Sequence, residues 1–345
     1  YLNMAFILTF LLRRIAQGVV VVLLVSFLIF TLLRVIPGDP VRMMLGSSVS
    51  ETMLEQKAEE LGLRDPITEQ YGRYIVGLIQ GDLGESYLLG ESGGAAPTAQ
   101  SKQGGRITED DERARNESLK THRAQVLKLI GDGLPYTLQL EGLGLLFTLL
   151  VGLPLGIAGG LKPEKWQDKI AFFTASLFVS LPNFWLALVL ILFISSKANL
   201  LPAIGYKGFG YTILPAIVLA VELAPVIIRG LSVAIAGNLQ QGFVDGGRLR
   251  GLPWSRIVWR HIIRNSSIPM LNLFGVQIGG LLLGGVFVTE YIFDYPGVGK
   301  LTIQAVLQRD FPIIQGVAIL AAGTLVLVNI LVDLIATYID RRLKY

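Results

Sequence analysis

The residues equipped for covalent or metal chemistry are few, and their spacing argues against an active site. There is no cysteine, which excludes disulfides, thiolate metal sites and a cysteine nucleophile. His122 and His261 are the only histidines, too few for a multi-histidine metal site or a histidine-based triad. Pro296-Gly297-Val298-Gly299-Lys300 ends like a phosphate-binding loop. Asp294, however, stands where the first glycine belongs, and Leu301 replaces the magnesium-holding Ser or Thr. No catalytic, metal or cofactor site is expected on this chain, and it does not hydrolyse ATP by itself. Asp110-Asp111 falls in a strongly charged stretch and reads as solvated. Two constellations remain. Glu222 and Arg229 are seven apart in an apolar run, hence on one helical face, with Pro225 between them. They are either a structural ion pair or a pathway-lining or gating pair. Residues 243–269 form a basic interruption between two apolar runs, with Arg248, Arg250, Arg256, Arg260 and Arg264.

A membrane-spanning scaffold must position these groups. Of 345 residues, 52% are hydrophobic and 16% charged, with a mean hydropathy of +0.57. Typical soluble domains carry about 25% charged residues. Six stretches approach the ~20 apolar residues that cross a bilayer: 15–33, 138–161, 170–194, 213–235, 268–288 and 313–335. The first is too long for the apolar region of a signal peptide and lacks a clear cleavage site, so it reads as a retained span. Arg13 and Arg14 precede it and place the amino terminus in the cytoplasm. Over the short segments, the inside ones carry 13 Lys/Arg and the outside ones 4, so both termini and the loop 236–267 are expected inside.

Residues 37–136 make a long outer segment after the first span, which with the amino terminus occupies 1–36. Ser50 caps a helix expected at about 50–61, and Asp65-Pro66 starts another at about 66–80. The stretch at about 88–121 is poor in apolar residues and reads as a mobile insertion. The remainder, 137–345, holds the five further expected spans. Gly152, Gly156 and Gly160 in the second span, and Gly275 and Gly279 in the fifth, mark packing faces where backbones approach closely; a translocation path between them is the sharper reading. Pro182-Asn183 marks a kink in the third span.

Several separate segments resemble one family. They are Phe10-Leu11-Leu12-Arg13-Arg14, Leu33-Arg34-Val35-Ile36-Pro37-Gly38-Asp39-Pro40, Leu61-Gly62-Leu63-Arg64-Asp65-Pro66 and Gly81-Asp82-Leu83-Gly84. Near the end come Tyr295-Pro296-Gly297-Val298-Gly299, Arg309-Asp310-Phe311-Pro312 and Asn329-Ile330-Leu331-Val332-Asp333. Together the chain resembles the B-type permease subunits of ABC importers for dipeptides, oligopeptides and nickel. The resemblance implies an all-α, six-span, type I importer permease in a prokaryotic cytoplasmic membrane. It also implies a second, C-type permease, two ABC ATPase subunits that bind ATP and magnesium, and an extracytoplasmic solute-binding protein. Nucleic acid is not among the implied partners.

The loop 236–267 is then similar to the family's cytoplasmic "EAA" loop, with Asp245, Gly246, Gly247 and Gly251 on its acid-Ala-Ala-x-x-x-Gly core. The two glycines in place of alanine weaken that helix by roughly 1 kcal/mol each. Leu252, Pro253 and Trp254 offer an apolar contact to an ATPase, and Arg256 and Arg260 can pair with its acids or with anionic lipid. Short peptides are the expected substrate, with nickel complexes or oligosaccharides as alternatives. A secondary transporter driven by an ion gradient is the rival of a different class. It would want mid-membrane carboxylates and inverted repeats, whereas Glu222 stands alone at depth and no repeat is evident.

Overall fold

The computed structural model describes residues 4–35, 41, 50–60, 62–90, 123–281 and 285–339. Long apolar runs fold as helix here because lipid offers the backbone no hydrogen-bond partners. In chain order the elements are α1 (Met4–Val35), α2 (Glu51–Glu60), α3 (Ile67–Ile79), β1 (Glu85–Gly90), β2 (Arg123–Gln125), α4 (Val126–Leu161), α5 (Trp166–Ser180) and α6 (Asn183–Leu190). A π-helical stretch (Ile191–Lys197) continues α6, followed by α7 (Gly210–Leu239), α8 (Gly242–Leu249) and α9 (Trp254–Ile257). A second π turn (Val258–Ile262) leads into α10 (Ile263–Leu281), then α11 (Gly285–Ile292), α12 (Val298–Gln308) and α13 (Phe311–Ile339).

Among the described residues, four helices are long and apolar enough to cross a membrane: Leu11–Val35, Val126–Leu161, Gly210–Leu239 and Phe311–Thr337. The pair Trp166–Ser180 and Asn183–Lys197, bent by 91°, passes the same test jointly and makes five. The sixth expected span, 268–288, is not confirmed among the described residues. The stretch 268–288 yields no single helix of that kind among the described residues: 282–284 lie outside them, and Asn265, Ser266, Ser267, Asn272 and Gln277 dilute the apolar character of α10. The all-helical expectation is amended by one small antiparallel pair, β1 with β2, registered at Glu85↔Gln125 and Gly90↔Arg123. Residues 88–90 therefore belong to a strand. Residues 91–121 of the expected insertion lie outside the described residues.

The chain divides into two compact units. One holds 136–300 with the start of α1 and the end of α13. Its centre is α7, whose apolar window is 67% buried, against 28% or less for the other long helices. Glycines bring α4 onto it. A Cβ on Gly144 would meet Leu219 at 3.0 Å, one on Gly152 Ile227 at 2.9 Å, one on Gly156 Leu231 at 3.0 Å and one on Gly160 Ile235 at 2.7 Å. The partners advance in the same direction and by the same steps, so α4 and α7 run parallel. The chain must therefore return along their length between them. It does so in the bent pair: Ala171 and Ala175 of α5 pack against Ile228 and Ala224, and after the break Ala187 joins Leu214, Leu219 and Leu223. A re-entrant loop would have left α7 antiparallel to α4. Next, α10 and α11 descend antiparallel along α7, with Ser266 at Asn238 (2.9 Å), Leu273 at Gly230 and Gly285 at Glu222.

The other unit holds 19–135 and 301–322. Here α3 packs on the C-terminal half of α1 through Phe27, Phe30, Tyr71 and Tyr74, with Phe27 and Tyr71 edge-to-face at 5.2 Å. The buried Gln70 side chain accepts from Arg34 Nε at 2.7 Å and donates to the carbonyls of Leu63 and Asp65. Ser86 donates to Asp310 at 2.5 Å, tying β1 to the start of α13.

The glycine stripe gives a test. Gly156→Leu overpacks the α4–α7 contact and should destabilise by about 1–3 kcal/mol, read as a lower melting temperature in detergent. Gly142→Ala, with nothing within 4 Å of the added carbon, should not lower it.

Candidate functional site

The hairpin that follows α7 is built from a short amphipathic pattern and a glycine stop. Gln241 is extended, α8 runs from Gly242 with Asp245 in its first turn, and Gly251 takes φ +70°. That left-handed geometry lets the Gly251 amide donate to the Arg248 carbonyl at 2.9 Å and the Leu252 amide to the Gly247 carbonyl at 3.1 Å. The pair is a Schellman stop, satisfying carbonyls that a helix end leaves open. Pro253 then enters α9. Val244, Ile257, Val258 and Ile262 are buried in one cluster with Ile227, Leu231 and Ile235 of α7, so the hairpin has a hydrophobic foot on the central helix.

Its other face is open. Leu249 is 89% exposed and Trp259 66%; Trp254, Arg248, Arg250, Arg256 and Arg260 are exposed as well. Arg248 lies 5.0 Å over the Trp254 ring and 3.9 Å from Asp245. The structure thus brings Asp245, Gly246, Gly247, Gly251, Leu252, Pro253, Trp254, Arg256 and Arg260 into one hairpin.

It does not bring Glu222 and Arg229 together. Arg229 is held by Asp168 at 4.0 Å and by the Phe172 ring at 4.9 Å, both on α5. Glu222 faces Asn183 and Gly285. Seven residues give a shared face on an isolated helix, but two different neighbours pack on the two ends of that face. Asp333 pairs with Arg14 at 2.6 Å.

Sequence reasoning missed Glu290. It is fully buried. Its Oε1 accepts from Thr137 Oγ1 at 2.7 Å, and its Oε2 accepts from the Gly299 and Lys300 amides at 2.7 and 3.1 Å. Thr137 in turn accepts from the Val298 amide at 2.9 Å. These are the first amides of α12, whose positive end a carboxylate complements. A Cβ on Gly297 would overlap the Glu290 carboxylate, so the turn closes directly over it. The one signal in the sequence was a lone acid seven residues before a Gly-rich turn. Beside it, Tyr136, Tyr206 and Tyr295 stack edge-to-face. Tyr295 shares a 3.0 Å hydrogen bond with Thr212. Burial pushes its phenol up to about 12, against the pull of that hydrogen bond, so Tyr295 stays neutral at ordinary pH.

Comparison with known proteins places this geometry. A model of the family described as "Binding-protein-dependent transport system inner membrane component" matches residues 152–345, and its N-terminal counterpart matches 7–91. The chain belongs to that family. Its relatives in the family include a Brucella abortus protein whose name carries the words "peptide transport system permease protein", 31% identical over 97% of this chain and 98% of that one. The oligopeptide transport system permease protein AppB of Bacillus subtilis is 27% identical over 97% and 99%. The glutathione transport system permease protein GsiC of Salmonella paratyphi A is 27% identical over 98% and 99%. An inward-facing structure of the MetNI methionine ABC transporter shares the fold, with a TM-score of 0.51 at 19% identity over 62% of this chain and 97% of that one.

Two outcomes follow for this family member. Gly246→Ala, open around the added carbon, should stabilise α8 by up to about 1 kcal/mol, whereas at Gly247 the added carbon meets Ile257 at 3.2 Å and should gain less. Glu290→Gln can keep its carbonyl on the Gly299 and Lys300 amides but then leaves the Thr137 hydroxyl without its acceptor, and should cost about 1–3 kcal/mol. Both are read from thermal melting in detergent.

Proposed function

We propose that the chain is a permease subunit of an ATP-driven importer that passes short peptides delivered by an extracytoplasmic binding protein. In this reading it pairs with a second permease, and two cytoplasmic ATPases hold ATP and magnesium. The observation that carries it is the hairpin: a rigid, basic surface with exposed apolar side chains, footed in the most buried helix. A push received there would reach the bundle as a rigid-body movement. The names of the relatives support peptides as the substrate.

The charge bias of 13 to 4 Lys/Arg supports both termini and the hairpin lying in the cytoplasm. The antiparallel course of α10 and α11 along α7 supports a sixth crossing. On that topology residues 37–136 are extracytoplasmic and 137–345 form the permease core.

The test is uptake in cells or proteoliposomes holding the whole importer. Gly251→Leu forces a branched side chain into a left-handed backbone and should abolish ATP-dependent uptake while the chain stays in the membrane. The tagged wild-type chain should co-purify with a second permease and two ATPases. Normal uptake by the variant, or a chain that comes out alone and transports on an ion gradient, contradicts the proposal.

A further inference from the structure

Among the described residues, Glu222 of the first unit has no role in the hairpin and no ion-pair partner. Glu222 lies in the middle of α7, three residues before Pro225. Asn183, just past the 91° break in the bent pair, is its polar neighbour. Its Oε2 is closed off from solvent and has no hydrogen-bond partner. A Cβ on Gly285 would overlap the carboxylate, so α11 rests directly against the head group. Three elements therefore meet at one carboxylate: the broken span, the proline-bearing central helix and α11.

Among the described residues, the cations seen in ion pairs in this unit are engaged elsewhere. Arg14 pairs with Asp333, Arg229 with Asp168, Arg248 with Asp245 and Lys300 with Asp294. The start of α6 beside Asn183 adds a favourable dipole but no net charge. A carboxylate at membrane depth normally pairs with a cation or faces a path that ions or substrates use. Here the pairing half is unfilled, and the group sits where a broken helix can give way.

Resting on the peptide reading above, we propose that Glu222 is a charge-reading station on the translocation path, where it receives the ammonium group at a peptide's amino terminus. An ammonium brings three donors and a full positive charge, and the unpartnered Oε2, closed off in this structure, becomes the acceptor it needs once the helix pair gives way at its bend. The contact is transient, because passage requires release. It selects for a free amino terminus in the membrane, independently of the binding protein.

The experiment uses the complete importer with its binding protein in proteoliposomes. Uptake of a dipeptide and of its N-acetyl form is measured, each normalised to the amount of binding protein loaded with it. The wild type should favour the free amine by about tenfold, the scale of one charge-assisted hydrogen bond. Glu222→Gln keeps the shape and the Asn183 neighbour. It should lower uptake of the free amine about tenfold and leave the acetylated form and the stimulated ATP hydrolysis unchanged. Should that variant not assemble, Glu222→Asp keeps the charge and should retain the preference. A variant that alters both peptides equally, or neither, overturns the inference alone. A wild type that moves neither peptide overturns the peptide reading and this inference with it.

Discussion

The close approach of α4 to α7 is the constraint on which the larger unit depends. Within a bilayer no water-driven force holds helices together, so contact rests on packing, and packing at this range needs glycine. Gly144, Gly152, Gly156 and Gly160 leave space into which Leu219, Ile227, Leu231 and Ile235 fit. Once those backbones lie parallel and in contact, the rest of the unit follows. The intervening chain has to run back along α7, and α10 and α11 have to descend its remaining face. The hairpin of α8 and α9 then emerges at the end of α7, where Val244 and Ile257 extend the same apolar cluster.

The two ends of this unit are fixed by different chemistry. At one end the hairpin foot is apolar and the stop is a backbone motif around Gly251. At the other, Glu290 and Thr137 satisfy the first amides of α12 and tie the turn after α11 to α4. Between them lie the features that break regular helix: Pro225 in α7, and Pro182 with Asn183 at the bend. Rigid ends and an irregular middle suit a bundle that transmits displacement from one side and yields near its centre.

Much of this was legible in the sequence. Uninterrupted apolar runs gave the four long helices, because length and hydropathy are local properties. Pro182 announced the bend, the glycines four apart announced the packing face, and Gly251 announced the stop of α8. What escaped depended on partners distant in sequence. Arg229 and Glu222 share a face, yet Asp168 and Gly285 come from other helices and separate them. Glu290 went unremarked in the sequence, because Thr137 and the amides of α12 surround it only in the fold. The stretch 268–288 read as a span, yet no single helix among the described residues covers it, and its polar residues Asn272 and Gln277 are tolerated where α10 and α11 lean on α7. The pairing of β1 with β2 joins residues on either side of a long charged stretch, which no local pattern could register.

The central claim is that the hairpin meets an ATPase, and the absence of cysteine from the chain makes it directly testable. A single cysteine at Leu249, the most exposed apolar residue of α8, can carry a photo-crosslinker in the assembled importer. The account predicts an adduct with an ATP-binding subunit, with a yield that changes between the ATP-bound and nucleotide-free states. Adducts with lipid alone, or none that respond to nucleotide, would contradict it.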